Sequence, residues 1–82
     1  MEGSIDFFNS FIEHMDETQA YDLGFFFKNY NINYNTSQYY LKKAAYNGDI
    51  CMLKIKNKTY YIHKKYKSMF KQFEKLKYVK VI

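Results

Sequence analysis

Apolar residues recur along this chain at intervals of three and four as far as Gly48, at intervals of two to about position 63, and at three and four again afterwards. Starting from Ser4, a residue type favoured at helix starts, Ile5, Phe8, Phe11, Ile12 and Met15 share one helical face and predict a helix over about 4–15. Asp16 followed by Gln19 has the form of a capping box. Ala20, Leu23, Phe27 and Tyr30 then continue at helical spacing, so a second helix is expected over about 17–30. The asparagine-rich run from Asn31 to Asn35 reads as a short ordered turn, with Asn35 or Thr36 as the next cap. A third helix, about 36–47, turns Leu41, Ala44 and Ala45 inward and stops at Asn47-Gly48, where glycine can take the left-handed conformation.

Beyond Gly48 the period of two predicts a β-hairpin, with Asn57-Lys58 as its turn. A two-residue loop there pairs Leu53 with Ile62 and Ile55 with Tyr60 on a core face, and Lys54 with Tyr61 and Met52 with His63 on an outer, basic and aromatic face. Tyr66, Met69, Phe70, Phe73 and Leu76 form the stripe of a fourth helix over about 65–77, and residues 78–82 alternate weakly, as a short strand would. There is no internal repeat and no composition break, so residues 1–82 are expected to form one domain, mainly α with a small β-hairpin, in which 65–82 is a terminal helix and tail suited to dimerisation.

Composition changes this picture in two ways. With 48% apolar residues, ten Tyr and eight Phe, the chain can bury a core and is not expected to be disordered. Its apolar runs, Phe25 to Phe27 among them, are far short of the roughly 20 residues that span a bilayer. No secretory pattern opens the sequence and Cys51 is the only cysteine, so a cytoplasmic protein without an internal disulfide is expected, located in the host cytoplasm or nucleus if its source is a virus.

Charge is segregated. Residues 1–27 carry six acids and no base, while residues 28–82 carry all 13 lysines against Asp49 and Glu74, for a net charge of +5. The absence of Arg, Pro and Trp beside abundant Lys, Asn, Tyr, Ile and Phe matches what an A/T-rich genome encodes, which accounts for part of the lysine excess. Such bias does not place acids in one half and bases in the other. A basic half of this density attracts polyanions, nucleic acid foremost.

The segment Thr36-Ser37-Gln38-Tyr39-Tyr40-Leu41-Lys42-Lys43-Ala44-Ala45-Tyr46-Asn47-Gly48, followed by Lys54-Ile55-Lys56-Asn57-Lys58-Thr59-Tyr60-Tyr61-Ile62, resembles the recognition helix and wing of the winged helix-turn-helix DNA-binding superfamily. The likeness covers residues 16–63, and the chain departs from the family pattern at Ser37, Ala44 and Asp49. The resemblance implies a three-helix core with a wing, and double-stranded DNA as partner. The third helix would enter the major groove with Thr36, Gln38, Tyr39, Lys42, Lys43 and Tyr46, and Lys54, Lys56, Lys58 and Tyr61 of the wing would rest on the adjacent backbone. The chain's size and composition resemble those of small stand-alone regulators of transcription or replication in viruses, phages and mobile elements. Without Arg, the commonest reader of guanine is missing, and an A/T-leaning or shape-based preference is expected.

Two other classes of function stand beside this one. A protein-interaction module would dock a host protein through Tyr39, Tyr46 and the acidic first helix, and an RNA or single-strand binder would use Tyr61 and the hairpin lysines. The acidic helix also serves simply as the surface turned away from DNA. No catalytic template is met: there is no H-x-x-x-H, no C-x-x-C and no glycine-rich phosphate loop, and Cys51 and His63 fall on opposite faces of the expected hairpin. The chain is therefore expected to be neither an enzyme nor a holder of metal or cofactor, and its fourth-helix stripe is assigned to the core and not to a membrane surface.

Overall fold

Asp22 divides the N-terminal half. In the computed structural model, which describes residues 2–66 and 79–81, its extended backbone separates a short strand from a helix, and its Oδ1 accepts a 2.8 Å hydrogen bond from the Phe25 N–H. The elements run α1 (Glu2–Glu13), β1 (Ala20–Tyr21), α2 (Leu23–Tyr30), α3 (Tyr34–Tyr46), β2 (Ile50–Ile55), β3 (Lys58–His63) and β4 (Val79–Val81). The strands form one antiparallel sheet in the order β1-β3-β2-β4. The chain is thus a small α/β domain with three helices among the described residues, and the expected hairpin is the centre of a four-stranded sheet. No helix among the described residues is long and apolar enough to cross a membrane.

Several expected boundaries move. Helix α1 begins at Glu2, so Ser4 lies inside it and is not its cap. The capping box at Asp16 and Gln19 does not form: Asp16 Oδ1 instead accepts from the Thr18 N–H at 2.8 Å and the Thr18 hydroxyl at 2.7 Å, a local turn that competes with helix. The expected helix over 17–30 therefore starts only at Leu23, and Ala20 and Tyr21 pair with Ile62 and Tyr61. This later start changes which face of α2 is buried. Phe26 is fully buried, while Phe27 and Tyr30, expected to repeat along the packed stripe, are about half exposed at 50% and 49%. At its far end Asn31 adopts a left-handed φ of 54°, and the N–H groups of Asn31 and Ile32 close on the carbonyls of Phe27 and Phe26. Helix α3 is capped by Asn33, whose Oδ1 accepts from the Asn35 N–H at 2.7 Å, and not by Asn35 or Thr36. It ends as expected, with Gly48 at φ +86°.

The hairpin turn lies at Lys56-Asn57, one residue earlier than expected, with Lys56 at φ 56°. Leu53 consequently faces Tyr60, Cys51 faces Ile62 and Met52 faces Tyr61. A two-residue slip preserves facial parity, so partners change while faces do not. The face expected to meet water, however, is buried as well as the expected core face. Ile50 and Tyr61, with Met52 partly buried, pack in the helical core alongside Phe8, Met15, Tyr21, Phe26, Leu41 and Ala44. Leu53 and Ile62 lie on the opposite face, outside that cluster, and are also fully buried. Alternation marks one face as core only when the other faces water, and both faces of this sheet bury large side chains. The expected short C-terminal strand is present as β4, paired with Leu53 to Ile55 of β2. Lys64 to Tyr66 form a turn, and the rest of the expected fourth helix lies outside the described residues.

Ser37 occupies the inward face of α3 with no exposure, and its Oγ has no hydrogen-bond partner. Burying a hydroxyl unpaired costs about 1–3 kcal/mol. Ser37→Ala is expected to leave stability unchanged or to raise it by up to about 1 kcal/mol, observed as a higher midpoint in denaturant with an unchanged slope. Asp22 carries a double duty, since its Oδ2 also holds Lys58 Nζ at 2.8 Å. That bond, with the Phe25 N–H, holds the carboxyl below its ordinary pKa against a smaller opposing effect of burial, and Lys58 is raised in turn. A depressed acid stabilises the fold above its unfolded pKa of about 3.9 and loses that effect as pH falls through the folded value. Asp22→Ala is expected to cost about 1–2 kcal/mol at pH 7 and much less at pH 2–3, while Asp22→Asn, which retains a capping oxygen, should cost less at pH 7. Urea denaturation of the three proteins at both pH values checks this.

Candidate nucleic-acid interface

Helix α3 meets the core through Ser37, Leu41 and Ala44, which are spaced at three and four and buried at 6% exposure or less. That spacing turns the opposite arc of the helix outward. Tyr39 is 60% and Tyr46 92% exposed, and Gln38, Lys42 and Lys43 are exposed beside them. Tyr39 is the more firmly held of the two tyrosines: Tyr40 meets it edge-on with ring centres 5.1 Å apart, and Lys43 Nζ stands 6.0 Å from its centre. Tyr40 itself turns in and stacks on Phe8 at 5.3 Å. Thr36 differs from the other expected contacts. It is half-buried and lines a shallow hollow with Ser4, Asn35 and Tyr39, on the side of α3 nearest α1.

Concave ground lies along both flanks of α3. Between α3 and β2 a groove of about 620 Å³ has Ala45, Ile50 and Met52 as its floor and Tyr39, Lys42, Lys43 and Tyr46 as its walls. No acidic residue is among these. On the other flank a cleft of about 600 Å³ between α1, α3 and the end of β3 includes Glu13 and Asp49 opposite Lys43, Lys64 and His63. The α3 surface therefore carries cations toward β2 and mixed charge toward α1, where Asp6 and Glu13 are exposed. Met52 and Ala45 line the groove and lie outside the set of contacts expected from the sequence. Their signal was present only indirectly, in an apolar residue on a hairpin face that otherwise reads as basic.

The expected wing residues do not form one cluster. Lys54 is exposed on the helix-facing side of the hairpin, two residues beyond Met52, and its register partners are Thr59 and Lys80. Lys56 is exposed in the turn. Lys58 projects from the opposite face to Lys54, because the register puts even positions of β2 and β3 on opposite sides. There it is joined to Asp22 and lies 5.5 Å from the centre of the Tyr60 ring. Tyr61 is not a surface residue at all. At 1% exposure it belongs to the core, and burial raises the pKa of its hydroxyl. Its expected place in the interface fails because the helices cover the face assigned to solvent.

Chemistry beyond charge and ring contact is sparse. Among the described residues no three His, Cys, Asp or Glu side chains are placed to hold a metal ion. Cys51 is half-buried and lies on the opposite face of the hairpin from His63, whose Nδ1 accepts from the Lys65 N–H at 3.0 Å, and His14 Nδ1 lies 3.0 Å from the Ser10 carbonyl oxygen. What the α3 face offers is rings, amide and ammonium groups on a helix with an apolar hollow beside it. Comparison of the chain with protein-family models, with curated proteins and with solved structures returns no match.

Proposed function

We propose that this protein binds double-stranded DNA through the outer face of α3, as a small regulator of transcription or replication. The observation that carries the reading is the exposed arc of Gln38, Tyr39, Lys42, Lys43 and Tyr46, free of acids among the described residues, with Lys54 exposed on the helix-facing side of the neighbouring strand. The order helix, strand, helix, helix, hairpin, with β1 added to the hairpin's edge, is compatible with a winged-helix layout and supports the same reading. An α-helix fits the major groove, where Gln38 can pair with adenine, a tyrosine ring can meet a thymine methyl, and Lys42 and Lys43 reach guanine or phosphate. Acids at Asp6 and Glu13 on the α1 flank repel phosphate, so the duplex backbone is steered toward the β2 side.

This geometry revises the part played by the hairpin. Lys54 lies on the DNA side of the proposal, and Lys56 is exposed in the adjoining turn. Lys58 is turned away and paired, and its function is to hold the hairpin to the start of α2. A protein-docking reading draws on a different surface, the half-exposed rings of Phe27, Tyr30 and Tyr34, of which Phe27 and Tyr34 lie 5.3 Å apart.

Fluorescence anisotropy of an A/T-rich duplex, titrated at several salt concentrations, separates these possibilities. Wild-type protein is expected to bind with steep salt dependence, and a Lys42→Ala/Lys43→Ala variant should bind all duplexes more weakly, with the log–log salt slope reduced by about one per lost phosphate contact. Lys58→Ala should leave the slope unchanged. Absence of duplex binding at low salt, or a slope that responds to Lys58 and not to Lys42 and Lys43, would overturn the assignment.

A further inference from the structure

The groove between α3 and β2 is poorly explained by contact with a regular duplex. A stacked base pair offers a helix only its edge, and edges do not fill a hollow of about 620 Å³ floored by Ala45, Ile50 and Met52. Tyr46 poses the same difficulty. It stands at the rim with 92% of its surface exposed and no ring neighbour among the described aromatic pairs, while every other large apolar side chain on the described surface is 60% exposed or less. An aromatic ring held so far from its own protein, next to an apolar hollow and two cations, is suited to stack on a flat π-surface that carries negative charge on either side.

We propose that this groove receives one unstacked nucleobase, which stacks on Tyr46 above Ala45 and Met52 while its flanking phosphates lie at Lys42 and Lys43. The inference rests on the nucleic-acid reading and adds the state of the nucleic acid to it: the preferred target is a duplex in which one nucleotide is already extrahelical. Charge complementarity selects the occupant. Among the described residues the rim is cationic without an acid, and Glu13 and Asp49 line the opposite flank. A base already out of the stack pays no unpairing cost, so it gains the full stacking contact. Tyr39, two helical turns before Tyr46 and braced by Tyr40, also lines the groove.

The test compares two labelled A/T-rich duplexes of the same length, one flush and one with a single extrahelical thymine, by anisotropy at fixed salt with wild-type, Tyr46→Ala and Tyr46→Phe proteins. Wild-type protein is expected to bind the bulged duplex about tenfold more tightly than the flush one. Tyr46→Ala should bring that ratio to about one, and Tyr46→Phe, which keeps the ring, should restore it. The ratio within each protein is read, which separates stacking from the general bendability of bulged DNA, and Tyr46 is exposed enough that the variants should melt with wild type. Equal affinity for both duplexes, or a preference that survives Tyr46→Ala, overturns the inference and leaves duplex binding standing. Failure to bind either duplex removes the nucleic-acid reading itself. Specific binding of an acidic peptide with a phenylalanine anchor, without binding of either duplex, would likewise overturn the inference and assign the groove to a protein ligand.

Discussion

Phe26 is fully buried among five aromatic rings. Its centroid lies 4.8 Å from Phe11, 5.2 Å from Phe25 and 5.3 Å from Phe8, with Phe7 and Tyr21 at 6.4 Å. These neighbours come from α1, β1 and α2, so one side chain ties the first three elements together. Removing a ring enclosed in this way costs about 3–5 kcal/mol, a large share of the roughly 5–15 kcal/mol that holds a domain folded. Phe8 extends the network to Tyr40, and so seats α3. The exposed arc of α3 points outward because the aromatic layer holds its other side.

The sheet depends on that layer as well. Tyr21 packs edge-on into the helical cluster against Phe11 and Phe25 at 4.9 and 4.8 Å, and its strand partner is Tyr61. The ring cluster thus pulls the helix-facing side of β3 into the core, and Ile50 and Met52 on β2 follow. Asp22 then joins this assembly to the hairpin from the other side, through its bonds to the Phe25 N–H and to Lys58. Both the groove beside α3 and the pairing of Lys58 with Asp22 on the opposite face follow from where these contacts place β2 and β3.

Much of the candidate surface was legible in the chain before folding. Leu41 and Ala44 at helical spacing define an inward side of α3, and Tyr39, Lys42, Lys43 and Tyr46 are outward by subtraction. The stop at Asn47-Gly48 was equally legible, since few residues accept the left-handed φ that Gly48 adopts. The asparagine run after α2 was another such case, with Asn31 at positive φ. The strand β1 was not legible. Two residues carry no period, and Asp16 sits in a pattern equally suited to a capping box and to the local turn that it makes with Thr18.

The sequence by itself determined the positions of the three described helices to within a few residues at most of their ends, the presence and antiparallel pairing of the hairpin, the charge asymmetry and the outward residues of α3, because each depends on spacing or on the preferences of single residues. Only the tertiary structure decided which face of the hairpin meets the helices, the burial of Tyr61, the pairing of Lys58 with Asp22 and the groove floored by Met52. Those outcomes turn on what covers each side of a sheet, and alternation along a strand separates its two faces without saying which element packs on either.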